Sequence, residues 1–281
     1  MTSVGNAALR SLLIVALMVI AVGGVLSPIL IRILIFQPYT IPSPANEPTL
    51  REGDYVVVSK DAYGYSRHSI PFSPPIFKGR LFFRAPQRGD VVVFKLPRDG
   101  RTDYIKRLIG MPGDRIQMRK GQLYINDRPV AEHVERTIVT HDRGGADAGI
   151  PPEQATVQTE TNPEGRQYLV QVHGPDELAA NTGIYVVPPH CYFMMGDNRD
   201  NSADSRFDPG LAPEDTKLGG CGWDSRLDAP VNFETGVGFV PEENLVGKAQ
   251  IIMLSWNEGA SLFKPWTWLD LRWNRFLHGL K

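Results

Sequence analysis

Short runs of β-branched and aromatic residues, separated by Gly, Pro and Asp, repeat along most of the chain. The runs are DYVVVSK, RGDVVVFKLP, DYIKRLIGMPGDRI, QLYINDRPV, RQYLVQVHG, GIYVVPPHCYFMMGD and LVGKAQIIML. Val, Ile and Tyr suit a pleated strand, whereas Gly, Pro and Asp favour turns. No helical pattern of adequate length lies between the runs, so they predict hairpins rather than βαβ units. The sequence therefore predicts a mostly β, antiparallel fold.

Two stretches between the runs predict long loops, and the C-terminus predicts a helix. Residues 143–165 are rich in Gly, Pro, Thr and Glu, and residues 207–237 are rich in Gly, Asp and Pro, which favours irregular structure. Near the C-terminus, apolar residues recur at helical spacing with basic residues between them, namely Leu269, Trp273, Phe276, Leu277 and Leu280. We expect a terminal helix there, either packed on the core or lying at a membrane interface.

Charge and composition exclude one class of partner. The 281 residues include 30 basic and 31 acidic side chains, and no run of Lys and Arg is long enough to bind nucleic acid. Because 42% of the residues are hydrophobic, the chain can bury a core of ordinary size. We therefore expect a folded protein without a nucleic-acid partner.

The N-terminus contains an apolar segment that is long enough to cross a membrane. Residues 11–36 include one charge, Arg32, and a spanning helix needs about 20 apolar residues. A cleaved signal peptide is the alternative, with small residues at 21–23 as its cleavage site, but the apolar run continues beyond that point. Arg10 and Arg32 nearly balance, so charge does not fix the orientation. The sequence predicts a short tail, 1–10, followed by a membrane anchor.

Neither the cysteines nor the most polar stretch predicts a metal site. Cys191 and Cys221 are too few for a disulfide framework and lack metal-site spacing, and whether they pair stays open. The stretch MMGDNRDNSADSRF, starting at Met194, fails as a calcium loop because Ser205 stands in place of the required glycine and Leu211 in place of the glutamate. It is either a turn whose acids and arginines satisfy one another or a shell that orients a catalytic group.

Lys106, in the run DYIKRLIG, is a candidate catalytic residue. Alternation along a strand places Lys106 on one face with Tyr104 and Leu108, and Arg107 on the other face. The common interpretation of a strand lysine is a solvated side chain. Among bulky, largely apolar neighbours, however, burial disfavours the charged form of an amine, and a neutral amine can act as a general base.

Taken in order, several segments resemble the sequence boxes of the type I signal peptidases, the S26 serine endopeptidases. After the apolar segment come FQPYTIPSPANEPTL, GDYVVVSK, RGDVVVFK, DYIKRLIGMPGD, MGDNRDNSADSR and GFVPEENLVGKA. The resemblance extends from about Phe36 to Ala249. It implies a β domain over residues 37–281, with a core at about 37–127 and 187–281, an inserted β subdomain at about 128–186 and an extra loop at about 207–237.

The resemblance also implies a function and a location. Members of this family are enzymes of the bacterial cytoplasmic membrane, and the resemblance implies a single-pass monomer whose main domain lies on the outer or periplasmic side. The implied partners are membrane lipids and secretory preproteins, whose signal peptides are cut after small residues. The implied chemistry uses a serine nucleophile and a lysine base, without a metal or a cofactor.

Matched box by box, the family pattern implies a role for five residues. Lys106 is the general base, and Ser202 is the serine whose hydroxyl orients that amine. Asp204 and Arg206 form a pair that braces the site. Ser43 is the residue whose hydroxyl helps to stabilise the oxyanion, beside a backbone N–H from position 45. The residues that would line pockets for the small side chains before the cut are Ile41, Pro42, Asn46, Leu50, Tyr104 and Ile105.

The position of the family's nucleophile is occupied by Ala45. Family members usually read I-P-S-G-S-M through this loop, and here the loop reads IPSPAN, so three consecutive positions differ. Alanine has no oxygen for attack, Pro44 stiffens the loop, and Asn46 places an amide where an apolar wall is expected. Two hypotheses follow: Ser43 serves as an alternative nucleophile to Lys106, or the chain is a catalytically silent homologue that binds signal peptides or a partner protease.

Overall fold

The computed structural model describes residues 17–20, 22–24, 26–27, 31, 34–140, 152–207, 220–222, 236–257, 265–267 and 269–280. The strands are β1 Phe36–Thr40, β2 Asp54–Ser59, β3 Val91–Lys95, β4 Asp103–Gly110, β5 Arg115–Arg119, β6 Gln122–Ile125, β7 Arg128–Pro129, β8 Ala131–Thr140, β9 Glu153–Thr161, β10 Gln167–Val172, β11 Tyr185–Val186, β12 Cys191–Met195, β13 Val240–Pro241, β14 Leu245–Ser255 and β15 His278–Gly279. Short 3₁₀ turns cover Pro44–Asn46, Asp61–Tyr63, Arg67–Ser69, Glu242–Asn244, Pro265–Thr267 and Trp273–Arg275.

The largest sheet has eight strands and is antiparallel throughout. Its order is β1-β2-β14-β3-β4-β12-β13, and β15 pairs with β14. β14 crosses the sheet and pairs with both β2 and β3, and its register against β2 shifts twice. Such bulges bend a strand and increase the local twist, which lets one long strand serve two neighbours. The predicted mostly β, antiparallel fold is confirmed.

β3 lies at the centre of this sheet and is buried on both faces. Val91 and Val93 belong to one core cluster, and Val92 and Phe94 belong to another. This explains why the run VVVF is continuously apolar instead of alternating with polar residues, since each face of the strand meets a separate core. The neighbouring β4 is therefore held between two packed layers.

Two smaller sheets complete the described fold. β8, β9 and β10 form one, in the order β10-β9-β8, and β11-β5-β6-β7 form the other. The predicted loop over residues 143–165 is wrong in its second half, because 153–161 form β9. The segment EQATVQTET supplies β-branched residues at alternate positions, and Ala155 and Val157 are buried. Threonine, counted there as a loop residue, acts as a strand residue. Residues 141–151 lie outside the described part.

The predicted C-terminal helix is also wrong. Its described residues form a single 3₁₀ turn, Trp273–Arg275, followed by β15. The Arg275 guanidinium binds the Asp54 carboxylate, and Arg272 donates to the carbonyls of Glu52 and Trp256. These contacts fix the turn, and pairing with β14 holds β15 extended. Both take the place of the hydrogen bonds that a helix would have made.

Several predictions fall mainly on residues outside the described part. The tail 1–10 lies there, as do half of the apolar segment 11–36 and most of the extra loop 207–237. In the part of the chain that the structure covers, no helix has both the length and the apolar character needed to cross a bilayer. Phe36, at the end of the predicted anchor, is the first residue of β1.

The two cysteines, whose pairing the sequence left open, form a disulfide. Cys191 begins β12, and the Cα atoms of Cys191 and Cys221 are 5.7 Å apart. Both residues are buried in the core cluster that includes Phe193 and Phe239. The bond therefore ties the described residues 220–222 to the strand that leads into the polar stretch after Met195.

Candidate active-site region

Lys106 lies in β4 with its side chain buried. The residue is 4% exposed, and its Nζ donates a hydrogen bond to the Ser202 hydroxyl at 2.8 Å. Burial lowers the pKa of Lys106 to about 8. Asp204 opposes this change, and Arg206 adds to it. At pH 7 a lysine with this pKa is about one-tenth neutral, far more than an ordinary lysine, and the neutral amine can accept a proton.

Gly196 allows the polar stretch to pass close to both Lys106's partner and the loop at position 45. A Cβ atom added to Gly196 would collide with the Ser202 hydroxyl on one side and with the Ala45 carbonyl on the other. Only glycine fits where two groups approach the backbone this closely. The structure therefore brings Ala45, Ser202 and Lys106 into one site, as the resemblance implies.

Asp204 and Arg206 form a buried ion pair beside this site. Arg206 donates to both carboxylate oxygens of Asp204, at 2.9 and 2.8 Å, and the Gly196 N–H donates to the same carboxylate at 3.1 Å. Burial alone would raise the pKa of Asp204, but the Arg206 guanidinium and these hydrogen bonds hold it below its usual value. The fixed negative charge faces Lys106 and partly offsets the cost of burying the amine.

Two further buried ion pairs surround the site, and sequence reasoning did not identify the partners in either pair. Arg107 donates to both oxygens of Asp197, each at 2.7 Å. Arg199 donates to both oxygens of Glu160, each at 2.6 Å. Glu160 belongs to β9, within the stretch expected to be a loop.

The ring of Tyr168 lies against Arg107, with the guanidinium carbon 4.4 Å from the ring centroid. Lys106 and Arg107 lie on opposite faces of β4, as alternation along the strand predicts. Both faces are buried, so both cations need partners. The arginine next to the candidate base in the sequence could have indicated a second group of buried charges.

The loop at position 45 is held against the polar stretch and against β4. The N–H of Asn198 donates to the Ala45 carbonyl at 3.2 Å, and its side-chain amide donates to the Pro44 carbonyl at 3.3 Å. The Asn46 side-chain amide donates to the Ile105 carbonyl at 2.7 Å. Asn46 is thus 3% exposed and fills the corner between its own turn and β4.

Ser43 is placed differently from the other candidate residues. It precedes the 3₁₀ turn in an extended conformation and is exposed to solvent. Within the described residues no hydrogen bond joins its hydroxyl to Lys106, whose amine is directed to Ser202. Among the described residues, Ser43 therefore has no general base bonded to its hydroxyl.

The six residues expected to line side-chain pockets fall into separate groups. Ile41 and Leu50 are buried in one core cluster, and Ile105 packs against that cluster. Tyr104 packs on the other face of β4, with its ring centroid 6.1 Å from that of Phe94. The two remaining residues, Pro42 and Asn46, are respectively exposed and buried. Among the described residues, no group of three or more His, Cys, Asp or Glu side chains could hold a metal ion.

Comparisons with known proteins identify the family of the chain. The family model for signal peptidase, peptidase S26, matches residues 9–256. Signal peptidase I from Rickettsia typhi is 37% identical over 257 residues, covering 85% of this chain and 83% of the relative. Signal peptidase I from Rickettsia felis is 36% identical over 271 residues, covering 90% and 88%. A crystal structure of a signal peptidase I from Enterococcus faecalis is 23% identical, covers 59% of this chain and 97% of its own, and has a TM-score of 0.28. The chain belongs to the signal peptidase S26 family.

Proposed function

We propose that this protein is a membrane-anchored member of the signal peptidase family that binds signal peptides of secretory preproteins without cutting them. The observation that carries the proposal is the side chain at position 45. Ala45 supplies a methyl group at the point where the family pattern requires a hydroxyl, while the Lys106 amine is bonded to Ser202. Loss of the nucleophile from an otherwise intact site costs about a millionfold in rate.

Several features support binding despite the missing oxygen. The lysine, its serine partner and the Asp204–Arg206 pair are all in place. Among the described strands, the first half of β4 pairs only with β3, because the pairing with β12 begins at Arg107. An exposed strand edge of this kind can accept an extended peptide as an additional strand.

The proposed location is the outer face of the bacterial cytoplasmic membrane, with one N-terminal anchor. The apolar segment 11–36 supports the anchor. An exposed apolar loop lies beside its end, because Tyr65 donates to the Leu34 carbonyl at 2.7 Å and also pairs with Leu81. Phe72, Phe82 and other apolar side chains of that loop are exposed. The disulfide favours an oxidising compartment.

Active peptide hydrolysis is the second candidate function. One observation favours it: Ser43, two residues before Ala45, is exposed and therefore accessible to a bound peptide. On this alternative Ser43 would attack the peptide, and Lys106 would take its proton. The rigid φ of Pro44 and the bond between Lys106 and Ser202 weigh against such a rearrangement.

Cleavage of a preprotein with an Ala-x-Ala site distinguishes the candidates. The full chain in detergent is compared with the Ala45→Ser variant, and the affinity of each protein for a labelled signal peptide is measured in parallel. We expect the wild-type protein to bind the peptide and leave the preprotein intact, and Ala45→Ser to cleave it. If the wild type cleaves the preprotein, and if Ser43→Ala and Lys106→Ala each abolish this cleavage, Ser43 is the nucleophile and our proposal is wrong.

A further inference from the structure

Directly beside the site, one edge of the first half of β4 has no strand partner among the described residues. The Leu108 N–H donates to the Asp90 carbonyl, and the Leu96 N–H donates to the Thr102 carbonyl, each at 2.8 Å. Leu108 and Thr102 therefore direct these groups toward the β3 side. In an antiparallel pair this direction alternates from residue to residue. The N–H and C=O of Ile105 must then point away from β3, toward the edge that β12 leaves uncovered.

Asn46 occupies this edge at the position where a peptide would pair. Its Nδ2 donates to the Ile105 carbonyl at 2.7 Å, as the N–H of an added strand would do. The Oδ1 of the same amide is buried and has no hydrogen-bond partner among the described residues. The side chain thus imitates only the donor half of a peptide unit.

We propose that Asn46 is a displaceable gate that lowers the affinity of the site for extended peptides. A peptide that pairs with Ile105 must compete with the Asn46 amide for the same carbonyl. The unpaired Oδ1 leaves that amide held by a single hydrogen bond, so a peptide can displace it. This inference rests on the proposed function, since it concerns how the same peptide is bound.

The gate makes the residue at 46 a determinant of affinity. Breaking the bond between Asn46 and Ile105 costs the same free energy for every peptide that pairs with this carbonyl. A peptide that bypasses Ile105 does not carry this cost. Methionine, the family's usual residue at this position, has no amide donor with which to compete. Asn46 therefore discriminates between peptides that pair with Ile105 and peptides that do not.

The test measures binding of a fluorescein-labelled synthetic signal peptide ending in Ala-x-Ala to the full chain in detergent. Asn46→Leu keeps the branched shape of the side chain and removes its amide. We expect the peptide's Kd to fall between about twofold and tenfold, the worth of one net hydrogen bond. Asn46→Met serves as a second variant in case leucine disturbs the packing, and the same change is expected.

Asn244→Leu is the matched control. Asn244 is also buried, and its amide donates to a strand carbonyl, that of Lys95, at 2.8 Å. This carbonyl belongs to β3 and not to the free edge of β4. We expect the control to bind the peptide as the wild type does.

A scan with N-methylated peptides locates the contact. Methylation of the one peptide N–H that donates to Ile105 should weaken binding to Asn46→Leu by the same twofold to tenfold, and weaken binding to the wild type less. If both Asn46 variants bind the peptide with the same affinity as the wild type, or more weakly, the gate is overturned and the proposed function stands. Absence of binding by the wild type and by every variant would overturn both.

Discussion

The lysine side of the site and the loop that faces it have diverged to different extents. On the lysine side, the amine of Lys106, the Ser202 hydroxyl and the Asp204–Arg206 pair form a connected, buried set. In the loop, three consecutive residues depart from the family pattern, and Asn46 makes its own hydrogen bond to β4. The comparison teaches that the buried set around Lys106 can stay intact while the facing loop changes, because its members are bonded to one another and not to the side chain at position 45.

The largest expected effect restores the missing group. Ala45→Ser returns a hydroxyl to the position that the family pattern assigns to the nucleophile, so we expect preprotein cleavage to rise by at least about 10³-fold over the wild type. The rate should rise with pH, reach half of its maximum at about pH 8, the pKa of Lys106, and level off above it, since only the neutral amine accepts a proton. Single-turnover cleavage over pH 6–9 measures both effects. An inactive, folded and peptide-binding variant would show that the loop itself is misplaced.

A smaller effect tests whether the lysine side is as rigid as its contacts indicate. Asp204→Asn keeps the shape of the side chain but leaves the Arg206 charge buried without its partner, which should cost about 3–5 kcal/mol of unfolding free energy. Asp127→Asn is the control, because its ion pair with Arg115 is about half exposed and should be worth at most about 1 kcal/mol. Urea unfolding in detergent compares them. Equal losses would contradict the contrast between the two regions.

The buried amine of Lys106 should lower the free energy of unfolding by an amount that depends on pH. Its pKa in the folded protein, about 8, lies below the ordinary value of 10.5, so between these values the unfolded chain binds more protons than the folded one. Stability should therefore rise as the pH increases from 8 toward 10.5, and the full penalty is present below pH 8.

Removing the amine tests this directly. We expect Lys106→Met to raise the unfolding free energy by about 1–3 kcal/mol at pH 7 and by progressively less toward pH 10. Unfolding curves at pH 7 and pH 10 provide the measurement. A difference between variant and wild type that does not change with pH would mean that the amine is solvated.

The smallest effect concerns the contact between the two regions. Asn198→Ala removes the side-chain hydrogen bond to the Pro44 carbonyl but keeps the backbone bond to Ala45. Loss of one partly exposed hydrogen bond should cost about 0.5–1 kcal/mol. Hydrogen exchange detected by mass spectrometry should then become faster for the 44–47 segment and stay unchanged in β4. Equal acceleration in both segments would show that the loop and the strand open together.

Sequence patterns predicted those parts of the molecule that depend on local composition. The alternating and continuous apolar runs predicted the strands of the large sheet, because the pattern of burial along these strands is visible in their own residues. β9 escaped prediction because its threonines and glutamates suit loops as well as strands, and only its pairing with β8 and β10 decides between them. The C-terminal pattern failed because Arg275 binds Asp54, a partner more than 200 residues away.

Sequence reasoning pointed to the residues of the candidate site and to a buried Lys106, but not to the ion pairs around them. Family boxes pointed to Lys106, Ser202 and Asp204, since those positions are fixed by motif. The partner of Arg199 is Glu160, which lies in a strand that no motif covers. The hydrogen bond from Asn46 to Ile105 depends on how a turn meets a strand edge, and neither segment specifies that meeting alone.

The contact at Gly196 has an evolutionary consequence. The polar stretch meets residue 45 through its backbone carbonyl, and Asn198 bonds to that same carbonyl. Folding therefore depends little on which small side chain residue 45 carries. Selection on stability removes only changes that destabilise the fold. It therefore does not distinguish serine from alanine at position 45. Residue 45 can therefore change in a single step while the buried set around Lys106 stays folded.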